Sequence, residues 1–171
     1  MAQGYHDAAG KCATDASSLG HASLMESENL RKFRASFRSF TELRVAWGDM
    51  DAMNHVNNAV YFRYLESGRI VHLTNLGAYA EDRTTGTVVG SLQCQFRIPL
   101  TYPDTIIVGS RVANLGEDRF NFEYAIFSQR HDKIAAEASS VVVAITLHDG
   151  RKTKLPDYLR AAVEAELALK R

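Results

Sequence analysis

Residues 47–69, WGDMDAMNHVNNAVYFRYLESGR, decide the fold, because a short strand ends here and a long helix begins. Leu43, Val45 and Trp47 alternate with polar or small residues, which predicts a half-buried strand. The loop that follows, residues 48–57, is dense in carboxylate, amide and imidazole side chains. A chemically active loop is therefore expected between the strand and the helix.

The second half of the stretch predicts a helix from about Asn58 to Asn75. Asn57 or Asn58 can cap its first turn, and Gly77 is a suitable stop. Apolar or small side chains at three- and four-residue spacing predict one buried stripe, made of Tyr61, Tyr64, Leu65, Gly68 and Val71. Glycine inside a helix costs about 1 kcal/mol relative to alanine. Gly68 therefore indicates that the helix backbone approaches a sheet closely.

Four further apolar alternations predict strands downstream of this helix. They run from Val88 to Ile98, Ile106 to Val108, Phe120 to Ile126 and Val141 to Leu147. Parallel neighbours would need crossover connections of a dozen or more residues, and these connections are shorter. A closing helix is predicted from Pro156 to Lys170. The pattern predicts an α+β fold in which one long helix lies against a mostly antiparallel sheet of about five strands.

Size and charge exclude several classes of protein. The chain has 171 residues, enough for one domain with a buried core. Twenty basic and twenty acidic residues cancel to a net charge of +0, so no global field attracts nucleic acid. No apolar run approaches the roughly 20 residues of a membrane span. Cys12 and Cys94 do not form a metal-ligand pattern, so neither a disulfide, a metal nor a cofactor is expected, and a reducing, cytoplasmic location is predicted.

The first 30 residues differ in composition from the rest. They are rich in Ala, Ser and Gly, and they show no sustained periodicity. They lack the apolar segment of a secretory signal, and their four acidic residues argue against a transit peptide. We expect residues 1–30 to be a flexible extension and residues 31–171 to form the folded domain.

The 47–69 stretch resembles the signature of the 4-hydroxybenzoyl-CoA thioesterase branch of the hotdog superfamily. Its H-V-N-N-x-x-Y segment, from His55 to Tyr61, also resembles plant acyl-ACP thioesterases and small bacterial long-chain acyl-CoA thioesterases. A looser similarity continues through F-R-I-P-L-x-Y-P-D at 96–104. The resemblance implies a hotdog fold, hydrolysis of an acyl-CoA or acyl-ACP, an acyl tunnel between helix and sheet, and assembly as a homodimer or homotetramer.

The resemblance places the catalytic carboxylate on Asp51. Thioester hydrolysis needs a nucleophile or a base that activates water, together with donors for the developing oxyanion. The leaving thiol has a pKa of about 8.5 by analogy with cysteine, so no strong general acid is required. Free N–H groups at the start of the helix, first of all that of Asn58, can bind the oxyanion. Direct attack and water activation by Asp51 both fit the sequence.

Each residue of the loop also has a structural interpretation. Asp51 could simply form an Asx-turn after the strand. Asp49 is a competing acid, although it matches the non-catalytic acid of the family's turn. His55 could orient Asp51 or a water molecule or bind substrate, or it could only cap the helix or pack beside Tyr61. Met53 replaces the asparagine of the plant enzymes, so their full Asp-Asn-His arrangement is not expected here.

Other charged residues also have a functional and a structural interpretation, and the sequence leaves rival functions open. Glu66 could act as a helix-borne carboxylate, but Arg63 and Arg69 offer it ion pairs. Arg97, Arg119 and Arg130 are candidates for the phosphates of CoA. The rival functions are a non-catalytic acyl-binding hotdog protein, a hotdog dehydratase, whose H-F-P-G-H loop is absent, and a cone-shaped ligand-binding fold.

Overall fold

The computed structural model describes residues 26–79 and 84–169. Cys12 and most of the expected N-terminal extension lie outside these ranges. In chain order the helices are α1 (Glu28–Ser36), α2 (Asn58–Asn75) and α3 (Asp157–Ala168), and the strands are β1 (Ser39–Arg44), β2 (Thr85–Phe96), β3 (Thr105–Leu115), β4 (Arg119–Ser128) and β5 (Lys133–Thr146).

The five strands form one antiparallel sheet in the order β1-β3-β4-β5-β2. The helix α2 packs on one face of this sheet, where the main core lies. The expected α+β architecture, with one long helix against a mostly antiparallel sheet of five strands and a C-terminal helix, is confirmed. No helix in the described part of the chain is long and apolar enough to cross a membrane.

The buried stripe of α2 follows the expectation over its first half. Tyr61, Tyr64, Leu65 and Gly68 are buried. The expectation for Val71 is wrong, because that side chain is 38% exposed and His72 is buried in its place. His72 follows Gly68 by four residues and Val71 follows it by three. A helical period of 3.6 residues allows either spacing on one face, and here the four-residue spacing faces the sheet.

Gly68 lets α2 approach the sheet closely, as the sequence indicated. A Cβ atom built at this position would lie 2.6 Å from Cγ1 of Val108 on β3. Val108 is fully buried and β-branched, so it has little freedom to move away. The absence of a side chain at position 68 therefore sets the distance between helix and sheet.

The helix α1 was not predicted, and it covers part of the opposite face of the sheet. Phe33 and Phe37 pack there against Ile107 and Phe127 in a second apolar cluster. A Cβ atom at Gly109 would lie 2.8 Å from the rings of both phenylalanines, so the sheet accepts α1 where it has no side chain. Part of the segment expected to be a flexible extension, residues 28–30, is thus helical.

Several strand boundaries also differ from the expectation, and β3 continues to Leu115 where the predicted run ended at Val108. The strand β1 ends at Arg44, and Trp47 lies in a short 3-10 turn (Trp47–Asp49), where it is 74% exposed. The alternation at Leu43, Val45 and Trp47 therefore does not continue as a strand. The strand β5 begins at Lys133, eight residues before the predicted run. Its first half consists largely of Ala and Ser, which carry little apolar signal.

Candidate active site

The loop between β1 and α2 is held by a small hydrogen-bonded frame. Met50 and Val56 form an isolated antiparallel bridge. Within that bridge, the Asp51 N–H donates to the His55 carbonyl at 2.9 Å, and the Asn54 N–H donates to the Asp51 carbonyl at 3.0 Å. Asn54 adopts a left-handed conformation with φ 59°, which asparagine tolerates better than most residues. The turn fixes Asp51 and His55 relative to each other.

Asp49 anchors this loop to α2. Its carboxylate is buried and accepts hydrogen bonds from the Ala46 N–H at 2.9 Å, from the Tyr64 hydroxyl at 2.6 Å and from Arg63. Burial alone would raise the pKa of the Asp49 carboxyl, but the hydrogen bonds from Tyr64 and Ala46 and the charge of Arg63 together lower it. Both oxygens are engaged, so Asp49 holds structure and is not free to attack a substrate.

Asp51 both forms the Asx-turn and keeps a free oxygen. Its Oδ1 accepts a hydrogen bond from the Met53 N–H at 2.8 Å. Within the described ranges no donor is found for Oδ2. The side chain is half-buried and lines a pocket. The structural interpretation of Asp51 is therefore correct for one oxygen and leaves the other available for chemistry.

The pocket has a volume of about 480 Å³ and lies between the loop, the start of α2 and the end of β2. It brings together all three of the predicted site residues, Asp51, His55 and Asn58. The rest of its wall is formed by Met53, Val56, Tyr61, Phe96, Arg97, Ile98 and Pro99. Most of these side chains are apolar, so the pocket suits an acyl group next to a carboxylate.

The first turn of α2 supplies a free donor at this pocket. The Asn57 side chain caps the helix by accepting from the Ala59 N–H at 2.9 Å, and the Val60 N–H donates to the Asn57 carbonyl. The N–H of Asn58, the first helical residue, finds no acceptor among the residues described. Together with the helix dipole it can stabilise a developing negative charge.

The imidazole of His55 is exposed and faces the pocket. In the described structure no hydrogen bond joins its ring to the Asp51 carboxylate. The link between the two residues runs through the backbone, from the Asp51 N–H to the His55 carbonyl. In this conformation the His55 side chain therefore does not orient Asp51. A role of His55 toward water or substrate stays a prediction.

Sequence reasoning did not single out the far wall of the pocket. The Tyr61 hydroxyl accepts a hydrogen bond from the Leu100 N–H at 3.0 Å, and the Tyr61 ring meets Phe96 edge to face at 4.9 Å. The Val56 N–H donates to the Leu100 carbonyl, so the segment 97–100 is tied to the loop. The similarity noted at 96–104 was the signal that could have identified this wall.

The remaining charged candidates fall into two groups, those that line the pocket and those that lie away from it. Glu66 lies outside the pocket and is 3.7 Å from Arg69, while Arg63 pairs with Asp49 instead of Glu66. Of the three arginines considered for CoA, only Arg97 lines the pocket, where its guanidinium also contacts Glu137. In the residues with described positions, no group of three His, Cys, Asp or Glu side chains could hold a metal ion.

Comparison with known proteins now adds to this geometry. The family model of the thioesterase-like superfamily matches residues 45–163, which include the loop, α2 and the strands β2 to β5. The chain belongs to this superfamily. A solved structure of a thioesterase-superfamily protein from Jannaschia sp. CCS1 is similar with a TM-score of 0.72 and 25% identity, over 80% of this chain and 89% of that one. The expected hotdog fold is thereby confirmed.

Two curated relatives carry more specific names. The chloroplastic acyl-acyl carrier protein thioesterase ATL3 of Arabidopsis thaliana is 26% identical over 70% of the present chain. The match spans 64% of the relative's own length. The long-chain acyl-CoA thioesterase FadM of Escherichia coli is 25% identical over 72% of the chain and 96% of the relative. These relatives act on different carriers, so similarity leaves CoA and acyl carrier protein as alternatives.

Proposed function

We propose that this protein hydrolyses acyl thioesters, with acyl-CoA as the substrate and Asp51 as the catalytic carboxylate. The observation that carries the proposal is that Asp51 and Asn58 line one largely apolar pocket, while among the described residues Asp51 Oδ2 has no donor and the Asn58 N–H has no acceptor. Membership of the thioesterase-like superfamily supports the same reaction.

In the proposed mechanism the thioester carbonyl lies between these two groups. The Asn58 N–H stabilises the oxyanion that develops on the carbonyl oxygen. In one route Asp51 Oδ2 attacks the carbonyl carbon, the CoA thiolate leaves, and water hydrolyses the resulting anhydride to restore the carboxylate. In the other route Asp51 removes a proton from a water molecule that attacks the carbonyl carbon, and the C–S bond breaks to release the CoA thiolate. The Met53 N–H holds Oδ1, so the carboxylate reacts from one fixed orientation. His55 contributes by positioning water or substrate at the mouth of the pocket.

In this proposal CoA binds at the rim of the pocket and the acyl group binds in its interior. Arg97 is exposed and borders the pocket, so it can meet a CoA phosphate once its contact with Glu137 is exchanged. Tyr61, Phe96 and Ile98 provide the apolar wall that an acyl chain requires. A cytoplasmic location, where Cys94 stays a free thiol, agrees with this choice of substrate.

We further propose that the active form is at least a homodimer joined along β2. Among the described strands, β2 pairs only with β5, which leaves its outer edge open. Apolar side chains are exposed on this strand, namely Val88, Val89 and Phe96. An open edge strand with exposed apolar side chains favours pairing with a second copy. Light scattering that finds only monomer at micromolar concentration would refute it.

The function is tested by a thiol-release assay on acyl-CoAs of several chain lengths, with the matching acyl-ACPs in parallel. Turnover of acyl-CoA that depends on Asp51 supports the proposal. Turnover restricted to acyl-ACP would show that the carrier is assigned wrongly. Tight binding without turnover would identify a non-catalytic acyl-binding protein.

A further inference from the structure

A second cavity lies outside the active-site pocket, where the end of β1, the start of β3 and the end of β4 meet. Its volume is about 460 Å³, and its wall includes Arg44, Tyr102, Asp104, Gln129 and Arg130. We call this cavity the Tyr102 groove. It combines two positively charged side chains with one aromatic side chain, that of Tyr102, which is 47% exposed.

Neither arginine of the groove has a carboxylate partner within the described ranges. Most of the arginines that the structure describes pair with an acid, among them Arg63, Arg97, Arg111, Arg119 and Arg160. The exposed side chain of Arg44 makes no hydrogen bond or ion pair with a described residue. Arg130 donates from Nη1 to the Thr101 hydroxyl at 3.2 Å and to the Pro103 carbonyl at 3.4 Å. These contacts hold one side of the guanidinium and leave Nε and Nη2 available to bind a phosphate with two parallel hydrogen bonds.

The acids beside the groove are engaged by other groups. Asp104 is 7% exposed, and its two oxygens accept from the Arg130 N–H at 3.1 Å and from the Ser128 hydroxyl at 2.5 Å. The Asp104 carboxylate therefore fixes the backbone of Arg130 and does not pair with its guanidinium. Glu42 accepts a hydrogen bond of 3.1 Å from the Gln129 side chain. The charged donors that remain free at the groove are those of the two arginines.

The Tyr102 groove begins beside the loop that carries Asp51. The Tyr102 N–H donates to the sulfur of Met50 at 3.4 Å, and Met50 directly precedes Asp51. Pro99 of the pocket wall is three residues from Tyr102, so their Cα atoms are at most about 11 Å apart. Both cavities are open to solvent. One ligand can therefore reach both by lying across the surface, without a tunnel.

We propose that the Tyr102 groove binds the adenosine 3′-phosphate end of CoA, so that the protein selects CoA thioesters over thioesters whose carrier lacks this nucleotide. This inference rests on the proposed function, because it takes the thioester to lie at Asp51 and Asn58. The pantetheine arm of CoA is longer than the separation of Pro99 and Tyr102, so it can join the two cavities. The two guanidinium groups bind the 3′-phosphate with charge-assisted hydrogen bonds, and the adenine ring stacks on Tyr102. The pyrophosphate of CoA stays with Arg97 at the rim of the pocket.

The test compares an acyl-CoA that the protein hydrolyses with the same acyl ester of dephospho-CoA, which lacks only the 3′-phosphate. For the wild-type protein kcat/KM should be at least about tenfold lower with the dephospho ester, mainly through a higher KM. Arg44→Met should lower kcat/KM for the acyl-CoA about tenfold. It should change kcat/KM for the dephospho ester by less than about twofold, because the interaction that it removes is already missing there. Since the Arg44 side chain contacts no described partner, this variant should fold as the wild type does.

Two further variants sharpen the comparison. Arg119→Met is the matched control, because Arg119 pairs with Asp118 at the opposite end of β4, about 30 Å from Arg130, and it should leave both values of kcat/KM unchanged. Tyr102→Leu should lower kcat/KM about fivefold or more for both esters, because both carry the adenine ring. Equal kcat/KM of the wild type for the two esters would overturn the inference. A loss of the same size with both esters in Arg44→Met would overturn it as well.

Failure of the proposed function gives a different result, because neither ester is then hydrolysed by any variant. Isothermal titration with adenosine 3′,5′-bisphosphate, the nucleotide end of CoA without the thioester, decides the inference separately. The wild type and Arg119→Met should bind this probe equally well, and Arg44→Met should bind it at least about tenfold more weakly. Absence of binding to the wild type, or equal affinities of the wild type and Arg44→Met, would refute the groove as a nucleotide site.

Discussion

The Tyr64 hydroxyl donates a 2.6 Å hydrogen bond to the Asp49 carboxylate, and this bond fastens the loop that carries Asp51 to the buried side of α2. The two acids of the D-x-D turn thus have separate tasks. Asp49 fixes the loop from below, and its neighbour Asp51 faces the pocket with one free oxygen. The catalytic role proposed for Asp51 therefore depends on the Asp49 anchor.

Removing the hydroxyl from this anchor should weaken the fold and misplace the loop. We expect Tyr64→Phe to lower the free energy of unfolding by about 1–3 kcal/mol, because a buried charged acceptor loses a donor. Urea denaturation measures the loss, and kcat should fall as well. Tyr158→Phe, on the exposed surface of α3, is the matched control and should change neither quantity. Equal stability of the two variants would show that the anchor contributes nothing.

The Asp49 anchor also makes stability depend on pH. The pKa of the Asp49 carboxyl is lowered below its ordinary value of 3.8, since burial, which would raise it, is outweighed by Tyr64, Ala46 and Arg63. A carboxyl with a lower pKa in the folded state stabilises the fold above its unfolded pKa, and this contribution is lost as the pH falls through the folded pKa. We expect Asp49→Asn to be less stable than the wild type at neutral pH and this gap to narrow below about pH 4. Urea midpoints measured across that range check it, and a gap independent of pH would contradict it.

Adding a methyl group at Gly68 should destabilise the protein although alanine favours helices. Alanine gains about 1 kcal/mol in helix propensity. The new Cβ would meet Cγ1 of Val108 at 2.6 Å, and overpacking of this kind costs about 1–3 kcal/mol. We expect Gly68→Ala to lower the melting temperature, and the Gly68→Ala/Val108→Ala double variant to lose less stability than the sum of the single variants. Strict additivity would mean that the two positions do not collide.

The N-terminal boundary of the domain should fall before Ser27. The Ser27 hydroxyl caps α1 by accepting from the Leu30 N–H at 3.0 Å, and Asn29 donates to the Asp132 carboxylate at 3.0 Å. A chain that begins at Glu26 should therefore keep its activity and melting temperature, whereas one that begins at Arg31 should melt earlier. Equal melting temperatures of the two chains would contradict this boundary and support the prediction that residues 1–30 are a flexible extension.

Much of the fold could be predicted from local sequence, because apolar periodicity identifies a helix or a strand even when its packing partner is unknown. The bounds of α2 were predicted as Asn58 to Asn75 and agree with the structure. The helix α1 was not predicted because its sequence is mainly polar and only Phe33 is buried. Its position depends on Gly109, a residue distant in the chain that gives the Phe33 ring space on the sheet.

The same limit applies to the candidate site: proximity within one short segment could be predicted, and contacts between separate segments could not. The spacing of Asp51, His55 and Asn58 within one loop indicated that they would meet, and they line one pocket. The Asp49–Arg63 contact could not be predicted in the same way, because helical spacing favoured Glu66 as the partner of Arg63.

The role of Asp51 is tested most directly by kcat for Asp51→Asn with an acyl-CoA that the wild type hydrolyses. The variant keeps the shape and the hydrogen bond from Met53 but loses the charge, so kcat should fall at least about 100-fold while acyl-CoA still binds. His55→Ala should cost about tenfold and Met53→Asn little, with folding checked by circular dichroism. An Asp51→Asn variant within about threefold of the wild type, beside an inactive His55→Ala, would make the histidine the base and contradict the role assigned to Asp51.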